Sequence, residues 1–256
     1  MPGTDALIGD AGPLPVPPKI DRRQDSIFLD FDGTLAAIEA TPDAVRLTPA
    51  TLAALERARH ALDGRLAIIS GRSLAALDGL VAAPALCMAG VHGLERRAAT
   101  GAVMRMRASE ALEAARVRLQ ALGEREPRLL IEDKGLGVAV HYRQAPDLEG
   151  LARREASAIA DEHGLMLQTG KMVYEIRDRG ADKGAAVQAF MAEPPFTGTR
   201  PIFVGDDDTD EIAFRAAADL GGFGILVGQP RATAARYGLA DIDAVRAWLE
   251  TVGAAA

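Results

Sequence analysis

Two carboxylates two residues apart, Asp30 and Asp32, stand where the apolar run Ile27, Phe28, Leu29 gives way to the turn Gly33-Thr34. Side chains alternate along a strand, so residues i and i+2 leave it on the same side. Acids placed this way can supply a nucleophile and a proton carrier side by side, or bind a cation. An isolated D-x-D-G is about as often a solvated turn. A second apolar run ends in Ile68-Ile69-Ser70-Gly71-Arg72, whose hydroxyl and turn N–H groups suit phosphate oxygens, although Ser-Gly after a strand is more commonly a plain turn. A third, Ile202 to Val204, ends in Gly205-Asp206-Asp207-Asp208-Thr209-Asp210-Glu211. Five acids in the six positions 206–211 suit a helix start and suit a divalent cation equally.

The elements that must carry these residues follow from hydrophobic pattern. The runs at 27–29, 66–69, 86–89, 202–204 and 225–227 are short, apolar and bounded by turns, as strands buried on both faces are. Helical segments lie between them. Thr48-Pro49 caps one through about His60, another runs from Asp182 to Met191 before Pro194-Pro195, one follows Asp208, and the last contains Trp248 as a core anchor. Alternating β and α elements predict an α/β fold with a doubly wound, mostly parallel, Rossmann-like sheet and a ligand at the carboxyl ends of its strands. In such a sheet Asp30, Ser70 and Asp206 share one edge. Clustered carboxylates repel, so the arrangement calls for a cation or a shared proton; with no His/Cys cluster for zinc, oxygen-ligated Mg²⁺ is the expected ion. Lys183, at the start of a helix, is poorly matched to the helix dipole, and an anion there would relieve it.

Residues 102–176 read differently. Strand-like pieces at 103–107, 129–132, 136–142, 165–168 and 172–176 alternate with helical stretches at 109–122 and 147–163, the second ended by Gly164. This order predicts an antiparallel sheet with helices on one face, an α+β domain inserted into the first. The expected division is a Pro-rich flexible tail at 1–18, a core of 19–100 with 179–256, and an inserted cap at 101–178.

Composition narrows the functional classes. The chain has 256 residues, net charge −7 and 48% hydrophobic content. The acidic balance argues against a general nucleic-acid grip, which depends on Lys and Arg. No apolar run spans a bilayer and the N-terminus lacks a signal peptide's pattern, so no membrane partner is expected. The single cysteine, Cys87, allows no internal disulfide, reads as core packing, and fits a cytoplasmic setting.

In order, D-x-D-G-T at Asp30 to Thr34, Ser70, Lys183 and G-D-D-x-T-D-E at Gly205 to Glu211 resemble the haloacid dehalogenase superfamily of phosphotransferases. The resemblance implies attack by Asp30 on phosphorus and proton transfer by Asp32. It implies Mg²⁺ held by Asp30, Asp206 and the backbone oxygen of Asp32, with Asp207 and Asp210 orienting the metal's waters. Ser70 and Lys183 would bind phosphate oxygens, with Thr34, Gly71 and Arg72 also at the substrate. The segments 90–95, 131–135, 140–143 and 171–177 resemble the trehalose-6-phosphate phosphatase family, in which the insert is a lid. That likeness implies sugar contacts from Glu132, Lys134 and Glu175, with His92 and Gly93 on the hinge side of the sugar. His141 and Arg143 are expected to serve the cap sheet. Where the family has proline after the arginine of K-x-x-x-E-x-R, this chain has Asp178, which removes a restraint on φ and adds a charge at the hinge. The alternatives are a phosphatase of sucrose phosphate or a mannosyl phosphoglycerate, and a non-catalytic sugar-phosphate-binding subunit. A trehalose-phosphate synthase is the expected functional partner.

Overall fold

The computed structural model describes residues 12–39, 41, 44–81, 83, 85–105, 107–178 and 182–254. Residues 1–11 of the tail, Met106 of the strand expected at 103–107, and Ala181 before Lys183 lie outside the described residues. In chain order the elements begin with β1 (Asp25–Leu29), α1 (Pro49–Ala61), β2 (Leu66–Ile69), α2 (Leu74–Val81), β3 (Cys87–Gly90), β4 (Glu95–Arg97) and β5 (Val103–Arg105). Next come α3 (Glu110–Arg125), β6 (Leu130–Asp133), β7 (Gly137–His141), α4 (Glu149–His163), β8 (Met166–Gly170) and β9 (Val173–Arg177). The last are α5 (Lys183–Met191), β10 (Arg200–Gly205), α6 (Glu211–Asp219), β11 (Phe223–Val227), β12 (Tyr237–Leu239) and α7 (Ile242–Gly253). The chain forms two compact units, Met1–Ile38 with Arg46–Ala67 and Val187–Ala256, and Glu39–Val45 with Ile68–Ala186. No helix among the described residues is long and apolar enough to cross a membrane.

In the first unit β12, β11, β10 and β1 lie side by side, all parallel, with Leu29 opposite Val204 and Ile202 opposite Phe223. The class is the mixed α/β fold with a mostly parallel sheet expected from the pattern of apolar runs. Every residue of β1 and β11 is buried, because helices cover parallel strands on both faces. Phe196 stacks on Phe28 at 5.2 Å and lies 5.4 Å from Phe190, filling one side of the sheet. Thr48 caps α1 by accepting from the Thr51 N–H at 3.1 Å, with Pro49 preset for the first turn. Helix α7 lies close along α1: a Cβ on Gly253 would stand 2.7 Å from Arg57 Cβ, so only glycine permits the approach. Trp248 is buried on α7, as expected of a core anchor. β12, Tyr-Gly-Leu, is too short to show a strand pattern and goes unseen in the sequence; the Pro15 carbonyl of the tail accepts from its Gly238 N–H at 3.0 Å.

The second unit contains a four-stranded antiparallel sheet in the order β6, β7, β9, β8. Leu112 and Leu119 of α3 and Ala152 and Ile159 of α4 pack on one face of it, against Val138, Val140, Tyr174 and Ile176. Ser109 caps α3, and Gly164 ends α4 at φ +65°, a conformation that costs glycine little. One expectation is corrected. The segment beginning at Val103 does not join this sheet; β5 pairs with β4, and β4 with β3, both antiparallel. β4 is Glu-Arg-Arg, which carries no apolar alternation, so the hairpin that captures β5 is invisible to hydrophobic pattern.

Candidate active site

In the first unit the carboxylates of Asp30, Asp206 and Asp210 come together, with one oxygen of each within 4.8 Å of the others. Topology does this. Strand β1 and strand β10 are parallel neighbours, and the Asp30 N–H donates to the Val204 carbonyl at 2.9 Å, so pairing continues one residue past β1. Asp206 follows Gly205 at the matching end of β10. The chain after Asp30 folds back at once: Leu35 N–H donates to Phe31 O at 2.9 Å and Gly33 N–H to Ala36 O at 2.8 Å.

Two glycines let the acids approach. Gly33 has φ +92°, and a Cβ there would fall 2.1 Å from Asp206 Oδ2. A Cβ on Gly205 would fall 2.4 Å from the Asp210 carboxyl. Any side chain at either place would push a carboxylate out of the cluster. Thr34, fully buried, has its hydroxyl 3.4 Å from Asp206 Oδ1.

Asp210 is fully buried and accepts from the Asp207 N–H at 3.0 Å, while Asp207 accepts from the Asp208 N–H at 2.6 Å. The acid-rich run therefore does two things. Asp207 caps the turn that opens α6, and Asp206 and Asp210 face the cluster. Glu211 anchors the loop ahead of β12: it accepts from Thr233 Oγ1 and the Ala234 N–H, both at 2.7 Å, and pairs with Arg231. Burial would raise the Glu211 pKa, but these donors hold it below the usual range. The side chain of Asp32 is not among the clustered ligands.

In the second unit Ser70 is buried directly beyond β2, its N–H donating to Ala89 O at 2.9 Å and its Oγ accepting from the Arg72 N–H at 3.1 Å. Val91, His92 and Gly93 all have positive φ, at 46°, 56° and 108°. For a β-branched valine this is a strained conformation of the kind concentrated at functional sites. It is held by Val91 N–H to Arg72 O and His92 N–H to Ser70 O, both at 2.9 Å. The His92 ring lies over Gly71, where a Cβ would meet Nε2 at 2.8 Å. Lys183, buried, is the first residue of α5, and Asp182 caps that helix by accepting from the Ala185 N–H at 2.8 Å.

The sheet face turned away from α3 and α4 carries the other expected residues. Lys134 Nζ donates to Glu175 Oε2 at 2.6 Å, and Glu132 Oε2 lies 2.8 Å from His141 Nε2. Burial, the largest single influence, opposes ionisation of Glu175, but Lys134 and His92 together outweigh it and hold the carboxyl well below the ordinary range. Glu132 is shifted the same way: burial raises it, and His141 with Lys134 lowers it by more. Glu175 Oε1 is buried and has no hydrogen-bond partner among the described residues. His92 Nε2 stands 3.8 Å from it, too far for a hydrogen bond, and burial pushes the His92 pKa down against the pull of Glu175.

Gln168, which no motif marks, and Arg177, the arginine of K-x-x-x-E-x-R, also lie on this face. Arg177 Nε donates to Gln168 Oε1 at 3.2 Å, and Gln168 Nε2 lies 3.1 Å from His92 Nε2. Their signal was alternation along β8 and β9, which puts Gln168, Glu175 and Arg177 on one face. Arg143 bonds the Glu39 and Lys171 carbonyls, a structural use. Asp178 accepts from Ser109 N–H at 3.0 Å and Ser109 Oγ at 2.5 Å, so a side-chain tether to the cap of α3 stands where proline would restrain φ.

Comparison with known proteins identifies the family. The trehalose-phosphatase family model matches residues 28–243. A trehalose-6-phosphate phosphatase of Escherichia coli is 41% identical over 88% of this chain and 85% of its own length. A probable trehalose-phosphate phosphatase of Sinorhizobium fredii is 42% identical over 80% of this chain and 78% of its own. The crystal structure of a trehalose-6-phosphate phosphatase related protein superposes with a TM-score of 0.73 at 28% identity, covering 89% of this chain and 96% of that one. With the match running from β1 into α7, this chain belongs to the trehalose-phosphatase family.

Proposed function

We propose that this protein is a Mg²⁺-dependent phosphatase that hydrolyses trehalose 6-phosphate to trehalose and phosphate through a phosphoryl group carried on Asp30. The observation that carries the reading is the Asp30, Asp206, Asp210 cluster, built in a chain that matches this family over most of its length. Three carboxylates of like charge and all-oxygen donors fit a hard divalent cation and not a soft one. Asp30 and Asp206 would hold Mg²⁺ with the Asp32 backbone oxygen. Asp210 reaches the same cluster, so its part is a ligand or a partner of the metal's water. Bound there, Mg²⁺ supplies charge compensation for the cluster and for phosphate oxygens.

The remaining work belongs to the chain. An Asp30 oxygen attacks phosphorus, and the sugar alcohol leaves with a proton from the Asp32 carboxyl. Asp32, now ionised, then takes a proton from the water that hydrolyses the aspartyl-phosphate and restores Asp30. Ser70 and Lys183 are assigned the phosphate oxygens, where charge builds in the transition state. Thr34, Gly71 and Arg72 line the substrate. Residues 101–178 form the cap, and Glu132, Lys134 and Glu175 read the sugar hydroxyls, with His92 and Gly93 beside them. A sheet face with charged groups placed by register supplies the directional hydrogen bonds that a disaccharide demands.

The test is phosphate release from trehalose 6-phosphate, sucrose 6-phosphate, mannosyl phosphoglycerate and glucose 6-phosphate, with and without Mg²⁺. Highest kcat/KM on trehalose 6-phosphate, lost on chelation, supports the reading. Preference for another sugar phosphate keeps the chemistry and overturns the substrate; binding without turnover makes the chain a sensor.

A further inference from the structure

Across the four-stranded sheet, Glu132 stands opposite Ala139, Ala139 opposite Glu175, and Glu175 opposite Gln168. Residues in one cross-strand row point to the same face, so Gln168 belongs to the row that holds both glutamates. On that face β7 places the small residues Gly137 and Ala139 beside the row, with His141 at the strand's end against Glu132.

The donors and acceptors around Gln168 admit one assignment. Arg177 has no acceptor, so the amide oxygen faces its Nε, at 3.2 Å, and the NH₂ faces His92 Nε2, at 3.1 Å. An NH₂ group only donates. His92 Nε2 must therefore offer its lone pair, and the ring proton sits on Nδ1. The same Nε2 is 3.8 Å from Glu175 Oε1. Were Nε2 protonated, a small ring rotation would donate to that oxygen and consume it. Oε2 is already taken by Lys134. The charged groups around the ring are Glu175, Lys183 and Arg177.

We infer that Gln168, itself fixed by Arg177, is a positioning residue that holds His92 Nε2 as an acceptor and thereby keeps Glu175 Oε1 open for a substrate hydroxyl. Its consequence for turnover rests on the function proposed above; its geometry does not. With neither partner of Nε2 left to donate to it, loss of Gln168 moves the proton to Nε2 and lets His92 compete with the sugar for Glu175.

Nitrogen NMR of histidine-labelled protein reads this without substrate. The chain has four histidines, and the signals of His92 are those missing from His92→Asn. At neutral pH the expected pattern is a protonated Nδ1 and a bare Nε2, changing to a protonated Nε2 in Gln168→Met. If that variant fails to fold, Gln168→Glu serves, because a carboxylate cannot donate and draws a proton onto Nε2. Kinetically, Gln168→Met should raise KM for trehalose 6-phosphate roughly tenfold more than KM for a small aryl phosphate. In a His92→Asn background that excess should fall below about twofold, since the competitor is gone. A protonated Nε2 in the unsubstituted protein, or the same KM excess in both backgrounds, overturns the inference. Absence of any trehalose 6-phosphate turnover by the unsubstituted protein would overturn the proposed function alone, with the spectrum still deciding the role of Gln168.

Discussion

Asp30, Asp206 and Asp210 bring three charges of one sign together, whereas Glu175 lies against the ammonium of Lys134 and keeps one oxygen open. Both regions bury carboxylates, and they solve the electrostatic cost differently. The first relies on glycine clearances to hold groups of like charge close, where the divalent cation proposed above would offset their repulsion. The second pairs its carboxylate with a cation of its own. On the proposed function, like charges held close suit the uptake of a metal, and an internally paired carboxylate with one open oxygen suits neutral hydroxyls.

The largest test of this contrast is Asp30→Asn. It removes the proposed nucleophile and should lower kcat on the order of 10⁴-fold or more on both trehalose 6-phosphate and an aryl phosphate. Activity near that of the parent would show that another group attacks. Next is metal linkage. Mg²⁺ at 100 times its Kd should stabilise the protein by about 2.7 kcal/mol, seen as a higher Tm. Asp210→Asn, which keeps the shape but removes one charge, should shrink that gain while raising the metal-free Tm by relieving repulsion. A lower metal-free Tm would show that the cluster is not frustrated.

Glu175→Gln probes the other region. It should weaken kcat/KM for trehalose 6-phosphate roughly ten- to a hundredfold and leave the aryl phosphate much less affected. Equal losses would remove Glu175 from sugar recognition. The same substitution tests its charge. A carboxyl whose folded pKa lies below its ordinary 4.5 contributes stability that is fully present above that pH and is lost as pH falls toward the folded value. Tm measured from pH 6 downward should therefore fall more steeply below about 4.5 in the parent than in Glu175→Gln. Parallel curves would mean that the Glu175 pKa is not lowered in the folded protein.

The smallest effect is expected at Asp178. Asp178→Ala removes two hydrogen bonds to the cap of α3 and should cost about 1–2 kcal/mol of stability, measured by denaturant midpoint at unchanged m-value. A loss within a few tenths of a kcal/mol would show that the tether is idle.

Local chemistry made much of this legible. Asp30 at the end of a fully apolar run, Thr48-Pro49 before a helix and Gly164 after one are decided by residues within a few positions, so the sequence alone locates β1, α1 and the end of α4. It also determined which acids were available to a metal. Tertiary structure decided the rest, because register and crossover set contacts that no local pattern encodes. Asp210 rather than Asp207 turned into the cluster only because the chain closes a capped turn after β10. β5 joined β4 because backbone pairing, not side-chain polarity, forms that hairpin. Gln168 met His92 through a chain separation of 76 residues, which only the folded sheet can close.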